Sequence, residues 1–358
     1  MHSRLSRLQE QLKDLKCDAL LLEDSLSLLY LTQLHLSAGK LLVTDNSAQL
    51  LVDGRYFESS QAKSPCPVVL YEEGVLESTL KTAGIGRLAV SSEDTTYKRF
   101  SQLTEDLQKL SITITGIDNP VKKLRTIKDS CELELLREAA RLGSRGYDLV
   151  CDLLEEGISE IELAKELELF WLRQGGKKLA FDPIIAFAAN SSQPHYRAGS
   201  KRLAKGDTVL IDIGVTLNDY HSDMTRVVFF GAEPSEEMRK IYYVVKEAQE
   251  AALKICKPGA TVGQLDQAAR DHITTAGYGD KFTHSLGHGI GLEVHEFPTL
   301  RNKTPSKDTV LEAGMVITIE PGVYLSSLGG VRIEDTIVVT DDGYEDLTLR
   351  PKDLKIIS

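Results

Sequence analysis

Two spacings of hydrophobic residues recur along the chain, and they predict strands in some segments and helices in others. The segment 209–215 carries Val, Ile, Ile and Val at every second position, with Leu, Asp and Gly between them. That period is typical of a strand with two distinct faces. A stripe at helical spacing follows Asp129, and we expect its members in the core: Leu136, Ala139, Ala140, Tyr147, Val150, Cys151 and Leu154.

Three helices have recognisable N-terminal signals. In each, a side-chain oxygen at the cap position is followed three residues later by an acid or an amide, the pattern of a reciprocal capping box. The pairs are Asp129 with Glu132, Ser159 with Glu162, and Thr261 with Gln264.

The first third of the chain has shorter elements. Its pattern predicts a strand at 19–22 and a hairpin formed by 40–43 and 49–52. The turn-rich segment 116–120 then favours a domain boundary at about residue 122. A chain of 358 residues is also longer than one ordinary core needs, so two domains are expected.

Four carboxylates occupy facing positions on two predicted hairpins. If a two-residue turn at 217–218 joins the first pair of strands, Asp212 directly opposes Asp223. In the second hairpin, the same counting sets Glu320 against Glu334. Directly opposed residues have Cβ atoms about 5 Å apart, and like charges there destabilise the pair. We therefore expect a cation between the members of each pair.

A histidine-rich stretch at 283–296 contains His284, His288 and His295. The first two are four residues apart, as on a zinc-binding helix, but the glycines around them disfavour a helix. The zinc motif H-E-x-x-H fails because Thr stands at position 299. The glycines also lack the spacing of a dinucleotide loop, so we interpret them as backbone that lets imidazoles approach a common centre.

With these residues in place, the chain resembles the pita-bread metallopeptidases, and within them the Xaa-Pro aminopeptidase and Xaa-Pro dipeptidase (prolidase) branch. The resemblance spans most of the chain: it includes Asp53-Gly-Arg-Tyr56, the segment Glu-Leu-Leu-Arg-Glu-Ala at Glu134–Ala139, and the ligand positions of the second half. It implies five metal ligands: Asp212, Asp223, His288, Glu320 and Glu334. It also implies four further active-site residues: His195, His284, His295 and Arg332.

The resemblance further implies an α+β fold with a pita-bread catalytic domain at 123–358 and a smaller α/β creatinase-like domain at 1–122. Two divalent metal ions are expected. Manganese is favoured by family precedent, and the oxygen-rich ligand set also accepts Co²⁺, Zn²⁺ or Fe²⁺. A homodimer is the family-based expectation for the assembly.

The activity implied is that of an Xaa-Pro aminopeptidase, which cleaves peptides with proline in the second position through a metal-bridging water. Glu320 would act as general base and pass the proton to the leaving nitrogen. His195 and His295 would hydrogen-bond the carbonyl oxygen or oxyanion, and His284 would line the substrate site. Arg332 would orient a ligand carboxylate or balance the charge of the cluster, and a purely structural ion pair for it has almost equal weight.

Several alternatives stay open at this point. Xaa-Pro dipeptidase is the nearest, since no residue separates it from the aminopeptidase. Methionine aminopeptidase shares the five ligands but has no N-terminal domain resembling this one. A metal-free creatinase-like hydrolase and a noncatalytic interaction module are both disfavoured, because each should lack some of the carboxylate ligands.

Composition narrows the classes of partner. The formal net charge of −11 argues against nucleic acid, which calls for a basic face. Apolar runs stay well short of the roughly 20 residues that a membrane span requires. Five cysteines without a C-x-x-C pair, together with an N-terminus lacking the apolar core of a signal peptide, favour a cytoplasmic protein.

Overall fold

A computed structural model describes residues 3–358, which form two compact units. The first unit ends at Arg125, and the second comprises Thr126–Ser358. The predicted division after residue 122 falls inside the helix Pro120–Thr126, next to this boundary.

The first unit is built on one mixed sheet. Its elements in chain order are α1 (Arg4–Leu12), β1 (Ala19–Leu22), α2 (Ser25–Thr32), β2 (Lys40–Val43), β3 (Ala48–Val52), α3 (Phe57–Lys63), β4 (Val68–Leu70), α4 (Val75–Thr82), β5 (Arg87–Ser91), α5 (Tyr97–Gln108), β6 (Thr113–Ile117) and α6 (Pro120–Thr126). The strand order is β4-β3-β2-β1-β5-β6, with β2 antiparallel to both β1 and β3. The predicted first strand and the predicted hairpin are both confirmed.

The second unit contains longer helices and several sheets. Its helices are α7 (Ser130–Asp152), α8 (Glu160–Arg173), α9 (Glu236–Lys254) and α10 (Val262–Thr275). Its strands are β7 (Lys178–Leu179), β8 (Ile184–Phe187), β9 (Thr208–Ile213), β10 (Val215–Leu217), β11 (Tyr220–His221), β12 (Met224–Phe230), β13 (Gly287–Gly289), β14 (Glu296–Leu300), β15 (Val316–Ile319), β16 (Gly322–Leu325), β17 (Gly329–Arg332), β18 (Asp335–Val339), β19 (Tyr344–Asp346) and β20 (Ile356–Ile357).

Two of these sheets carry the predicted ligands. One has the order β20-β12-β9-β8, and the other has the order β14-β13-β15-β18-β19. The alternation along β9 separates two hydrophobic clusters: Val209 and Ile211 pack with α7 and α8, whereas Leu210 packs with α9 and α10. Asp212 lies two residues beyond Leu210 and so shares its face. The period-2 pattern of the sequence thus directs this carboxylate away from α7 and α8.

The helix predictions hold in detail. All three capping boxes are present, each with both reciprocal hydrogen bonds. Every member of the predicted stripe after Asp129 is buried. Such boxes satisfy two otherwise unpaired backbone donors at each helix start, which is why so short a signal fixes the boundary.

The first hairpin is registered differently from the prediction, which was wrong by one residue at the turn. The turn is Asn218-Asp219, with φ of 49° and 71°, and Leu217 remains in the strand. Asn and Asp tolerate these positive φ values better than Leu does. Asp212 consequently pairs with Thr225 rather than with Asp223. The partner shifts by two positions, so the two aspartates keep to one face and are diagonal neighbours.

The second hairpin has the predicted register. Gly322 pairs with Arg332 on one side of the ligand positions, and Ile319 pairs with Asp335 on the other. By the same register, Glu320 opposes Glu334. The prediction of facing glutamates is therefore confirmed.

Among residues 3–358, no helix combines the length and the apolar character needed to cross a membrane. The five cysteines are all free thiols. Met1 and His2, which open the stretch considered for a signal peptide, lie outside the described residues.

Replacing Gly146 by Ala tests the packing of α7 on α8. In an exposed helix this change stabilises by roughly 0.5–1 kcal/mol. Here a Cβ would lie 2.5 Å from a ring carbon of Trp171 and 2.7 Å from Leu167 Cδ1. We expect a loss of about 1–3 kcal/mol from overpacking. The fluorescence of Trp171, the single tryptophan, reports the unfolding of this unit in denaturant. A stabilised variant would contradict the described packing.

Candidate metal centre

The five predicted ligand residues lie at strand ends where the two sheets of the second unit meet. A backbone hydrogen bond from Glu334 N to Thr225 O, 3.1 Å long, joins the sheets at this point. The ligand positions are Asp212 in β9, Asp223 just before β12, His288 in β13, Glu320 just after β15 and Glu334 just before β18.

Side chains from three separate elements converge closely. Asp223, His288 and Glu334 each offer a ligand atom, and these atoms all lie within 4.8 Å of one another. His288 Nε2 is 3.7 Å from Asp223 Oδ2 and 3.5 Å from Glu320 Oε1. The structure therefore brings four of the five predicted ligands together: His288 and the acids Asp223, Glu320 and Glu334.

The tautomer of His288 explains why a cation suits this position. Its Nδ1 lies 3.1 Å from Gly289 O, an acceptor only, so Nδ1 carries the proton and donates it. Burial, reinforced by His295, lowers the pKa of His288 to about 3, and the ring is neutral at pH 7. The lone pair of Nε2 then faces carboxylate oxygens. That contact is repulsive while the acids are ionised, and a cation between them removes the repulsion, which is how a metal-binding histidine is normally held.

The negative charge of the acids is also poorly balanced by nearby positive charge. Burial, followed by repulsion from Glu334, raises the pKa of both Asp223 and Glu320 well above the usual range. Burial and repulsion from Asp212 raise the pKa of Glu334 to about 8. The buried atom Asp212 Oδ1 has no hydrogen-bond partner among the described residues. A set of oxygen donors with too little positive charge around it fits one or more divalent cations.

Arg332 supplies the positive charge that the cluster does contain. It is buried, and its Nη2 donates a short hydrogen bond to Asp212 Oδ2. Its Nε donates to Thr225 Oγ1 at 3.2 Å, and its Nη1 donates to Tyr324 OH at 2.6 Å. These contacts agree with both interpretations considered from the sequence, orientation of a carboxylate and a structural ion pair.

The three other histidines predicted for the site, His195, His284 and His295, line a cleft of about 740 Å³ that contains the cluster. His284 is fully engaged: its Nδ1 donates to Ser285 O at 2.8 Å, and its Nε2 accepts from Tyr324 OH at 2.9 Å. The ring centroid of His295 is 4.3 Å from that of His288. His195 and His295 are exposed to the cleft, which leaves their ring nitrogens accessible to a substrate.

Tyr324 is a site residue that sequence reasoning missed. Its hydroxyl links Arg332 to His284 and so continues a chain of hydrogen bonds that starts at Asp212. Two glycines make room for this side chain: a Cβ at Gly322 would lie 2.5 Å from the hydroxyl oxygen, and a Cβ at Gly330 would lie 2.6 Å from ring carbon Cδ1. The alternation Glu320, Gly322, Tyr324 places this tyrosine on the ligand face, and that was the available signal.

Comparison with known proteins agrees with this geometry. The sequence profile of metallopeptidase family M24 matches residues 134–341, and that of the creatinase/prolidase N-terminal domain matches residues 4–127. The Xaa-Pro dipeptidase of Pyrococcus furiosus is 37% identical over 99% of this chain and 100% of its own length.

Solved structures extend the likeness to the fold. The Xaa-Pro dipeptidase from Bacillus anthracis is 36% identical, with a TM-score of 0.93 over 99% of both chains. The X-Pro aminopeptidase from Thermotoga maritima is 34% identical, with a TM-score of 0.89 over 98% of this chain and 100% of its own. The chain belongs to metallopeptidase family M24. It is a metallopeptidase with the pita-bread fold, from a family that works with divalent metal ions.

Metal binding should stabilise the protein in a pH-dependent way. The folded-state pKa of Glu334, about 8, lies above the ordinary value for glutamate. Its contribution to stability is therefore complete below about pH 4 and is lost as the pH rises through about 8. Metal-depleted protein should lose stability across this range. Added Mn²⁺ should restore it, with a larger gain at high pH because bound carboxylates must be deprotonated.

The melting temperature of the metal-depleted protein, measured across this pH range with and without Mn²⁺, checks the prediction. Glu334→Gln should lose most of the gain, whereas the exposed Glu312→Gln should keep it. Equal gains in both variants would remove Glu334 from the metal centre.

Proposed function

We propose that the chain is an Xaa-Pro dipeptidase (prolidase) that hydrolyses the peptide bond before a C-terminal proline. The observation that carries the metal-dependent part is the neutral His288, whose lone pair faces the acids of the cleft. The full-length likeness to Xaa-Pro dipeptidases supports the substrate class. The alternative weighed from the sequence thus has more support than the aminopeptidase favoured there.

Xaa-Pro aminopeptidase is the second candidate, because the Thermotoga maritima enzyme shares the fold over almost the whole chain. Both candidates act on peptides with proline in the second position. The homodimer implied by the resemblance, and the cytoplasmic location favoured by the cysteines and the N-terminus, stay predictions under either one.

In this proposal two divalent ions, with Mn²⁺ favoured, are held by Asp212, Asp223, His288, Glu320 and Glu334. When bound, such ions supply Lewis acidity toward a carbonyl oxygen and lower the pKa of water. Asp212 is held by Arg332, and Glu334 Oε2 accepts a hydrogen bond of 2.6 Å from Thr225 Oγ1. These two carboxylates are therefore oriented in advance.

Glu320 is less firmly anchored than the other glutamate. Its Oε1 is 3.5 Å from both His288 Nε2 and Thr318 Oγ1, and its side chain borders the cleft with 16% of its surface exposed. A carboxylate in this position can accept a proton from the attacking water and pass it to the proline nitrogen as that nitrogen leaves.

His195 and His295 are the donors proposed for the carbonyl oxygen. Burial, together with the neighbouring His195, lowers the pKa of His295, so its neutral ring donates a single N–H. Donors that face developing negative charge in a partly enclosed cleft contribute several kcal/mol in comparable enzymes, of order 3–4 for one group.

The two candidates differ in the length of peptide they accept. The Mn²⁺-loaded protein should hydrolyse Xaa-Pro faster than Xaa-Pro-Yaa, and metal-depleted protein should hydrolyse neither. Product release, followed for both peptides at matched concentrations, gives the ratio of kcat/KM. A ratio in favour of the tripeptide would select the aminopeptidase, and hydrolysis of neither peptide with any divalent ion would refute both.

Glu320→Gln tests the proposed proton transfer. An amide cannot accept the proton, so we expect kcat to fall by about 10²–10⁴-fold. Steady-state rates of Xaa-Pro hydrolysis under saturating Mn²⁺ measure the change, with Glu312→Gln as the matched control. Activity within a few-fold of the unmodified protein would assign the role to another group.

A further inference from the structure

The cleft around the candidate metal centre is lined mainly by acidic rather than basic charge. Six acidic residues are among those that line it: Asp182, Asp212, Asp223, Glu296, Glu320 and Glu334. Four of them would balance the two proposed ions, and Glu296 is paired with Lys128 at 3.3 Å. A dipeptide that ends in proline brings a further carboxylate, its own C-terminus. Since an unpaired charge is costly to desolvate, binding of that group calls for a cation that faces the cleft.

Most basic side chains of the cleft are already engaged. Arg332 is buried and bonded to Asp212. Both ring nitrogens of His284 have hydrogen-bond partners, and His288 points into the acid cluster. His195 and His295 are occupied, in the proposed function, at the scissile carbonyl.

Arg197 differs from these groups. It lines the same cleft, and 86% of its side chain is exposed. It forms an ion pair with Asp182, at 3.7 Å, and the side chain of Asp182 is itself 76% exposed. Exposed pairs of this kind contribute little free energy. The guanidinium can therefore exchange Asp182 for a substrate carboxylate, which it can bind through two parallel N–H donors.

The backbone that carries Arg197 is firmly held, although the side chain is not. Glu160, fully buried at the start of α8, accepts hydrogen bonds from Tyr196 OH at 2.7 Å and from Gly199 N at 3.0 Å. It also accepts one from Asn190 Nδ2 at 2.9 Å. These contacts fix the chain on both sides of Arg197, so its Cα has a defined position two residues beyond His195.

We propose that Arg197 is a specificity-determining residue that binds the C-terminal carboxylate of an Xaa-Pro dipeptide. The inference rests on the proposed dipeptidase function and deepens it. It predicts that the protein distinguishes a dipeptide with a free carboxylate from the same peptide ending in an amide, and that Arg197 produces the difference.

The test compares kcat/KM for Xaa-Pro and Xaa-Pro-amide in Mn²⁺-loaded protein with Arg197 or with Arg197→Gln. The unmodified protein should prefer the free dipeptide. The substitution should lower kcat/KM for the dipeptide by about 10- to 100-fold, mainly through KM, as expected for loss of a charge-assisted contact. Hydrolysis of the amide should stay within about twofold, and Arg197→Lys should recover part of the loss because it keeps the charge.

Arg202→Gln is the matched control, since this nearby arginine is 67% exposed but does not line the cleft. It should leave both rates unchanged. If the unmodified protein prefers the dipeptide and Arg197→Gln keeps that preference, the inference about Arg197 is overturned while the dipeptidase proposal stands. If the unmodified protein cleaves the amide or a tripeptide better than the dipeptide, the dipeptidase proposal itself fails.

Discussion

The second unit is organised around one electrostatic constraint, the confinement of several carboxylates and an imidazole lone pair in a small buried space. His288 donates its only proton to a backbone carbonyl, so its other nitrogen faces Asp223 and Glu320 without a hydrogen to share. Elevated pKa values at Asp223, Glu320 and Glu334 express the same deficit of positive charge. A divalent cation balances both the lone pair of His288 and the charge of the carboxylates, whereas a proton balances only part of that charge.

The fold tolerates this repulsion because contacts outside the cluster hold the strands that carry the acids. Arg226, on β12, is buried and paired with Asp335 at 2.6 Å, next to Glu334 in the chain. Its Nη1 also donates to Glu334 O at 2.6 Å. Removing one partner of such a buried pair typically costs about 3–5 kcal/mol. The ligand strands are thus held in place by charge pairing outside the cluster, and Asp212 Oδ1 still has no hydrogen-bond partner among the described residues.

Much of this could be predicted from the sequence, and the limits have physical causes. Hydrophobic period and capping boxes are local signals, so helix starts and strand faces followed directly from them. The facing of Glu320 and Glu334 was also correct, whereas the first hairpin was placed one residue off. Its turn depends on which residues accept positive φ, and the counting ignored that preference. Tyr324 continues the alternation of Glu320 and Gly322, a local signal that was not used. Glu160 acts through contacts with distant segments, and no local pattern indicates it.

In the proposed function, the lone pair of His288 and the surrounding acids form a metal site. Anomalous diffraction at the manganese absorption edge, from crystals of the Mn²⁺-loaded protein, would locate any bound ion. We expect a peak roughly 2.0–2.3 Å from His288 Nε2, within bonding distance of oxygens from Asp223, Glu320 or Glu334, and a second peak near Asp212. A map without a peak at His288, or with manganese bound only elsewhere, would contradict it.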